Sequence, residues 1–219
     1  MKRLYIIVCG ALVLCAVILF VYWPKRDKGA PDFFDDQWYT LHVMRSLDHI
    51  HYGGADTGEV LKTIRSIRIG DAKGWFEAWN QTAQRVEALA ERLHDPVSKG
   101  RAYLRSHNYS RTAEFMLHPD HNKKLECFQK SVETFRLGLK WLGVKHDFIE
   151  VPYGTYRLKA TYYQGPAGAE GKPLLIIGGG LDSTQEELYF IVGAAAIERG
   201  YSVLTYSGPG QGAGADIHT

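Results

Sequence analysis

The sequence predicts an α/β chain in three successive parts: an apolar N-terminal transmembrane helix, an all-helical domain, and the first strands of a sheet. Three observations carry that reading. Residues 4 to 23, "LYIIVCGALVLCAVILFVYW", hold no charged residue. From 38 to 143 apolar residues recur every three or four positions, the period of an amphipathic helix. From 147 onward glycine-bounded apolar runs replace that period, the pattern of strands. The boundaries follow as 1–23 anchor, 24–37 linker, 38–146 helical domain and 147–219 partial sheet domain.

A 20-residue helix rises about 30 Å, the thickness of a bilayer's hydrocarbon core. Tyr5, Tyr22 and Trp23 stand at the ends of the apolar run, where aromatic belts form. Lys2 and Arg3 precede it, and Lys25, Arg26 and Lys28 follow, so the charges leave its orientation open. The run passes straight into Trp23-Pro24 without the small-x-small site of a cleaved signal. The expectation is an uncleaved single-pass anchor with residues 4–23 in the lipid bilayer. Pro24, Gly29, Pro31 and four aspartates then mark a linker.

Five helices are expected next. "WYTLHVMRSLDHIHY" stops at Gly53-Gly54, and "TGEVLKTIRSIRI" starts from a cap at Asp56 or Thr57. "GWFEAWNQTAQRVEALAERL" sets Trp75, Trp79, Ala83, Val86, Ala90 and Leu93 on one stripe, with the tryptophans read as core. "VSKGRAYLRSHNYSRTAEFMLH" runs from after Pro96 to before Pro119. "NKKLECFQKSVETFRLGLKWLG" places Leu125, Phe128, Val132, Phe135, Leu139 and Leu142 on one side and ends at Gly143. Five helices of this length can bury a core of their own.

"FIEVPYG" and "TYRLKATYYQ" flank Gly154 as an antiparallel hairpin. "LLIIGGG" reads as a strand buried on both faces. A helix from Thr184 to Arg199 follows, with Ser183 and Glu186 spaced as a capping box. "YSVLTY" is the last strand, so strand, helix and strand form a parallel crossover. With four strands in hand, "YSVLTY" is expected to be an apolar edge.

A net charge of +2 over 219 residues gives no electrostatic case for nucleic acid. Cys9, Cys15 and Cys127 make neither a disulfide framework nor a paired metal motif, and Cys127 reads as a buried inert thiol. No cofactor or metal is expected. His49 and His51, and the "HPDH" at 118–121, lack the arrangement of a ligand set. Asn80 and Asn108 open glycosylation sequons, both inside expected helices.

The glycine loop after "LLII" carries the chemical question. A Walker loop needs Gly-Lys-Ser/Thr, and residues 178–184 contain no lysine. A dinucleotide fingerprint needs a third glycine, and Ser183 stands in its place. "GPGQGA" at 208–213 is a second near-match with a proline inside it. A loop after a third strand can instead aim backbone N–H groups at a developing oxyanion, with Gly179, Gly180 and Leu181 as its residues. Local pattern alone leaves the oxyanion loop and a plain tight turn both open.

"GDAKGWFEAWNQTAQRVEALAE", "YLRSHNYSRTAEFMLH", "GGGLDSTQEELYF" and "GYSVLTYSGPGQG" resemble, in that order, a subfamily of α/β-hydrolases whose helical domain precedes the hydrolase core as a lid. The subfamily includes hydrolases of fungal secondary-metabolite routes, among them fusarin, cytochalasin and pigment-polyketide shortening enzymes. It also includes a bacterial C–C hydrolase of the pseudooxynicotine type. "HYGGADTGEV" resembles the fungal branch. The resemblance implies a serine hydrolase of a small-molecule carbonyl substrate, cutting a C–C, ester or amide bond. It implies that Gly179, Gly180 and Leu181 hold the oxyanion and that the helical domain roofs the pocket.

This chain departs from the pattern at the nucleophile. No G-x-S-x-G occurs, and Ser207 in "TYSGPG" stands where the subfamily usually shows Asp. The Ser, acid and His are therefore expected beyond Thr219, with no catalytic residue inside the chain, a truncated core, and no activity from these residues alone. A second expectation, of another class, is a non-catalytic membrane-anchored helical binding module.

Overall fold

Aspartate caps start four of the five long helices. In the computed structural model, which describes residues 33–119, 121–166, 171 and 173–212, α1 spans Gln37–Asp48, α2 Thr57–Ile64, α3 Ala72–Arg92 and α4 Pro96–Glu114. Asp36, Asp56, Asp71 and Asp95 each accept a backbone N–H from the first turn of the helix that follows, at 2.7–3.0 Å. Such a cap satisfies one of four donors that a helix start leaves unpaired. α1 continues as a 3₁₀ turn, His49–Tyr52, and stops at Gly53, whose φ of 77° suits glycine. α5, Asn122–Trp141, stops at Gly143 with φ 66°.

Residues 4–23, the expected anchor, and residues 24–32 of the linker lie outside the described residues. Among the described residues no helix is long and apolar enough to cross a membrane. The expected fold class is thus corrected to a mixed helix–sheet α/β fold with a four-stranded sheet, and a single-pass anchor in the lipid bilayer has no support. Even the 21-residue α3 is amphipathic, with Lys73, Glu77, Arg85 and Glu91 exposed along one side.

α3, α4 and α5 pack in sequence. The apolar stripe of α3 faces inward as expected: Trp75, Trp79, Val86 and Ala90 are fully buried, with Val43, Val60 and Tyr109 around them. α5 buries only part of the stripe that its sequence suggests, and small residues beside it. Cys127, Ser131, Thr134, Phe135, Gly138 and Leu139 are buried, while Leu125 is 59% exposed. Close approach explains this. A Cβ on Gly138 would lie 2.5 Å from Leu104 Cδ2, and one on Gly100 3.1 Å from the Gly138 carbonyl. The two backbones nearly touch there, so small residues set the contact face.

The sheet has strands β1 His146–Tyr153, β2 Tyr156–Tyr163, β3 Leu175–Gly178 and β4 Val203–Tyr206 in the order β1-β2-β4-β3. β1 and β2 form the expected antiparallel hairpin, closed by Gly154-Thr155 with Gly154 at φ 58°. β3 and β4 are parallel, joined through α6 Gln185–Leu188, a π turn Tyr189–Gly193 and α7 Ala194–Glu198. Two expectations are corrected. β4 lies between β2 and β3, and its Val203 and Thr205 are fully buried. β3 is instead an edge strand, as β1 is at the other side, and its Leu174, Leu175 and Ile176 are exposed, so that run is not buried on both faces. Pairing of the hairpin with the later strand, not the nearer one, produces both differences.

The described residues from Phe34 onward form one compact unit. Leu104, Phe135 and Leu139 of α4 and α5 meet Tyr163, Tyr189, Phe190 and Val203 in a shared core. Gly138→Val is expected to destabilise the chain by about 1–3 kcal/mol through overpacking against Leu104. Urea unfolding measures this, with Gly143→Asn, at an open turn, as the mild control.

Candidate active site

The glycine loop begins where β3 ends. Tyr206 of the neighbouring strand closes over Gly178, whose added Cβ would lie 2.6 Å from the Tyr206 hydroxyl. At Gly179 a Cβ would lie 2.3 Å from Ser183 Cβ. Gly180 faces open space within 4 Å, and the Leu181 side chain is 84% exposed. A side chain at Gly179 would meet Ser183, one at Gly178 would have to displace the Tyr206 ring, and Gly180 leaves an approach to the backbone. The Gly179 and Gly180 carbonyls accept from one atom, Gln211 Nε2, at 2.9 and 2.5 Å. Ser183 N–H returns to the Gly180 carbonyl at 3.2 Å. Among the described residues no acceptor meets the N–H of Gly180 or Leu181.

The helix after the loop is capped one residue later than its sequence suggests. Thr184 Oγ1 accepts the Glu187 N–H at 3.2 Å, so the capping pair is Thr184 and Glu187, not Ser183 and Glu186. The buried Ser207 hydroxyl accepts the Gln185 N–H at 3.2 Å, which gives Ser207 a structural place at the same helix start. Glu186, 3% exposed, accepts from Gln185 Nε2 at 3.2 Å, and burial raises its pKa.

Two arginines of the helical layer hold the far side of the loop. Arg45 of α1 donates to Asp182 Oδ2 at 2.8 Å and to the Asp182 carbonyl at 3.3 Å. It also forks onto the Glu187 carboxylate through Nε and through Nη2, the latter at 2.5 Å. Arg111 of α4 donates to the Asp182 carbonyl at 2.5 Å and to Glu114. Both guanidiniums lie beside the Phe115 ring. Nothing in local sequence marks the reach of Arg45 or Arg111 to the loop, because Asp182 and Glu187 are more than 70 residues away from them. Gln211 lies in "GPGQG", which the sequence marks both as a nucleotide-fingerprint near-match and as part of a hydrolase-like block, and neither reading gives Gln211 a role.

The other singled-out residues have quieter places. Asn108 is buried, and its amide donates to the carbonyls of Ser46 and Gly54 at 2.9 and 2.8 Å. Asn80 is half-buried on α3, 3.8 Å from Cys127 Sγ. Cys127 is buried, and burial pushes its thiol up to about 12, the inert state. His49 is stacked on Phe190, while His51 meets Tyr52 edge-on. The segment from 213 to Thr219 lies outside the described residues.

Among known proteins the chain is similar in sequence to several hydrolases. No protein-family model matches the chain. The chain is 40% identical to a hydrolase, acrC, of Aspergillus aculeatus, over 82% of its own length and 46% of the relative's. It is 36% identical to the 20-hydroxy-prefusarin hydrolase of Gibberella moniliformis, over 82% and 45%. To an α/β-hydrolase, psoB, of Aspergillus fumigatus it is 37% identical, over 82% and 43%. The chain spans about half the length of these curated relatives. Among solved structures, the 2,6-dihydroxy-pseudo-oxynicotine hydrolase superposes with a TM-score of 0.59 at 20% identity, over 76% of this chain and 46% of that one. AbyA5 gives a TM-score of 0.59 at 15% identity, over 82% and 46%. These two likenesses are of fold.

The arginine cluster sets the local electrostatics. Burial favours a protonated Glu187, but the Arg45 fork outweighs it and holds the carboxyl below the usual carboxylate range. Burial and then Arg45 push His42 down to about 4, so it is neutral beside the cation. A depressed carboxyl stabilises the fold above its unfolded pKa of about 4.3 and loses that contribution as pH falls through the folded value. In Arg45→Met the buried Glu187 loses its cation, its pKa rises, and its contribution is lost as pH rises instead. Urea unfolding is expected to show a loss of about 2–4 kcal/mol at pH 7 in Arg45→Met, less than a fully buried pair because Arg45 stays partly exposed. The gap to the parent is expected to shrink below pH 4.

Proposed function

The chain is a homologue of fungal α/β-hydrolases, and from that premise we propose that it forms the oxyanion half of a serine hydrolase. The observation that carries the proposal is the loop after β3: the Gly180 and Leu181 N–H groups lack acceptors among the described residues, and Gly180 leaves the approach clear. In the proposed reaction a serine oxygen bonds to the substrate's carbonyl carbon. The carbonyl π pair moves onto oxygen, which Gly180 and Leu181 N–H receive, with Gly179 shaping the turn. Collapse of the adduct expels the leaving group, which takes the serine's proton from a histidine, and water then releases the acyl group.

The serine, acid and histidine are proposed to come from polypeptide following Thr219. The exposed edge of β3 supports this, because a further strand pairing there would bring its end beside the glycine loop. Residues 38–146 are proposed as the pocket's roof, since Arg45 and Arg111 already reach the loop from that side. The proposed substrates are small carbonyl compounds of secondary metabolism, polyketide-type, cut at a C–C, ester or amide bond. Residues 1–219 alone are proposed to be inactive.

A polypeptide continuing in frame through a G-x-S-x-G elbow, an acid and a histidine is expected to react with a fluorophosphonate at one serine, while residues 1–219 stay unlabelled. In that polypeptide Leu181→Pro, which deletes one N–H, is expected to lower kcat by about 10²–10³-fold. A reading frame that closes directly after Thr219, labelling of residues 1–219, or an unchanged kcat in Leu181→Pro would each sink the proposal.

A further inference from the structure

We propose that Gln211 is a positioning residue that locks the peptide orientations of the oxyanion loop. This inference rests on the oxyanion reading of Gly179–Leu181 and assigns work to "GPGQG", which that reading leaves idle.

In a trans peptide the C=O and the following N–H point in opposite directions. Whatever holds the Gly179 carbonyl therefore aims the Gly180 N–H, and whatever holds the Gly180 carbonyl aims the Leu181 N–H. Gln211 Nε2 holds both carbonyls, at 2.9 and 2.5 Å. Both N–H groups thus face away from Gln211. Flipping either peptide would turn a carbonyl dipole toward the place where negative charge develops. The two hydrogens of one amide nitrogen suffice for the two carbonyls, which an ammonium could also supply but a carboxylate could not.

Gln211 is itself held in place. Its Oε1 accepts the Gly208 N–H at 2.9 Å, and its own N–H donates to the Gly208 carbonyl at 3.0 Å. Gly210 takes φ 77° inside this turn. Gly212, at φ 44°, packs the end of the motif against Thr184 and Ser207, where an added Cβ would lie 3.2 Å from Thr184 Cγ2. The motif after β4 is thereby clipped to both ends of the loop after β3. On the loop's far flank Arg45 and Arg111 hold the Asp182 carbonyl. The span between, Gly180-Leu181, is the part left for a ligand.

Three variants test the role: Gln211→Glu, the same shape without the donors; Gln211→Met, shape without polarity; and Gln211→Lys, donors on a different shape. Hydrogen exchange on the full chain reads the Ser183 amide, whose acceptor is the braced Gly180 carbonyl. In Glu and Met variants this amide is expected to exchange about tenfold faster, the effect of losing one hydrogen bond's support, with α3 core amides unchanged. Gln211→Lys is expected to restore most of the protection. In the polypeptide that carries the nucleophile, kcat is expected to fall about 10²-fold in Gln211→Glu with KM little changed. Unchanged Ser183 exchange in Gln211→Glu overturns the brace, and so does a Lys variant as loose as the Glu one. A loosened loop with undiminished kcat leaves the brace standing and overturns the oxyanion reading instead.

Discussion

The structure depends on α4, a helix that buries as many polar or charged residues as other residues. Ser106, His107, Asn108, Ser110, Thr112 and Glu114 are all buried on it. A polar group taken from water costs free energy unless it is bonded, so each of these residues demands a partner in a fixed place. The partners lie on different neighbours. Ser106 reaches Ala83 of α3 at 3.0 Å, His107 donates to Ser131 of α5 at 2.8 Å, and Asn108 ties the end of α1 to Gly54. Tyr109 Oη donates to Glu59 of α2 at 2.8 Å, and Lys124 of α5 meets Glu114 at 2.6 Å. Apolar packing would tolerate a rotation of α4 that these bonds do not. The helix is a hub because its polarity specifies one arrangement of α1, α2, α3 and α5 around it.

From that hub the specification reaches the glycine loop. Arg111 leaves the last turn of α4 for the Asp182 carbonyl, and Arg45, held in α1 beside Asn108's partner Ser46, reaches Asp182 and Glu187. Glu187 is 3% exposed and sits in the first turn after the loop, so its charge needs the arginine. His42 and His49 close the cluster with their pKa values lowered chiefly by burial, and in His42 next by Arg45. A shift of the helical layer therefore moves the loop's C-terminal end. Its N-terminal end answers to the sheet, through Tyr206 over Gly178 and Gln211 under the two carbonyls.

Sequence periodicity serves where one face is apolar and fails where selection of a face rests on size or polarity. The α3 stripe, the hairpin at Gly154 and the parallel crossover were legible because water enforces each pattern directly. The α4 hub was legible only as a helix, because polar residues are mixed into its buried surface and break up any apolar stripe. The face of α5 was only partly legible: Phe135 and Leu139 are buried as the stripe suggests, but the close approach at Gly100 and Gly138 adds Cys127, Ser131 and Thr134 to the contact. The strand order was misread because β2 and β4 pair across 40 residues, and no local signal states which of two apolar strands the hairpin prefers. The apolar run at 4–23 suggested a membrane-anchored fold, whereas the described helices owe their burial to one another. Of the candidate site, the glycines were legible as a loop that lets a backbone be approached. Their supports were not, since Arg45, Arg111 and Gln211 act from 30 to 140 residues away.

These two sets of supports bear on how such a loop would act. Donors stabilise developing charge most when they need not reorganise as it appears. Three consecutive glycines favour the opposite, a chain with many accessible backbone states. Gln211 on two carbonyls and two arginines on a third remove that freedom without placing any side chain at Gly180. Glycine is thus used for clearance, and rigidity is supplied from outside the loop. The helical layer and the motif after β4 have a common effect in this respect. Gln211 holds the carbonyls whose peptides carry the Gly180 and Leu181 N–H groups, and the arginines hold the next stretch of the loop at Asp182, so the two supports act on successive stretches of the loop.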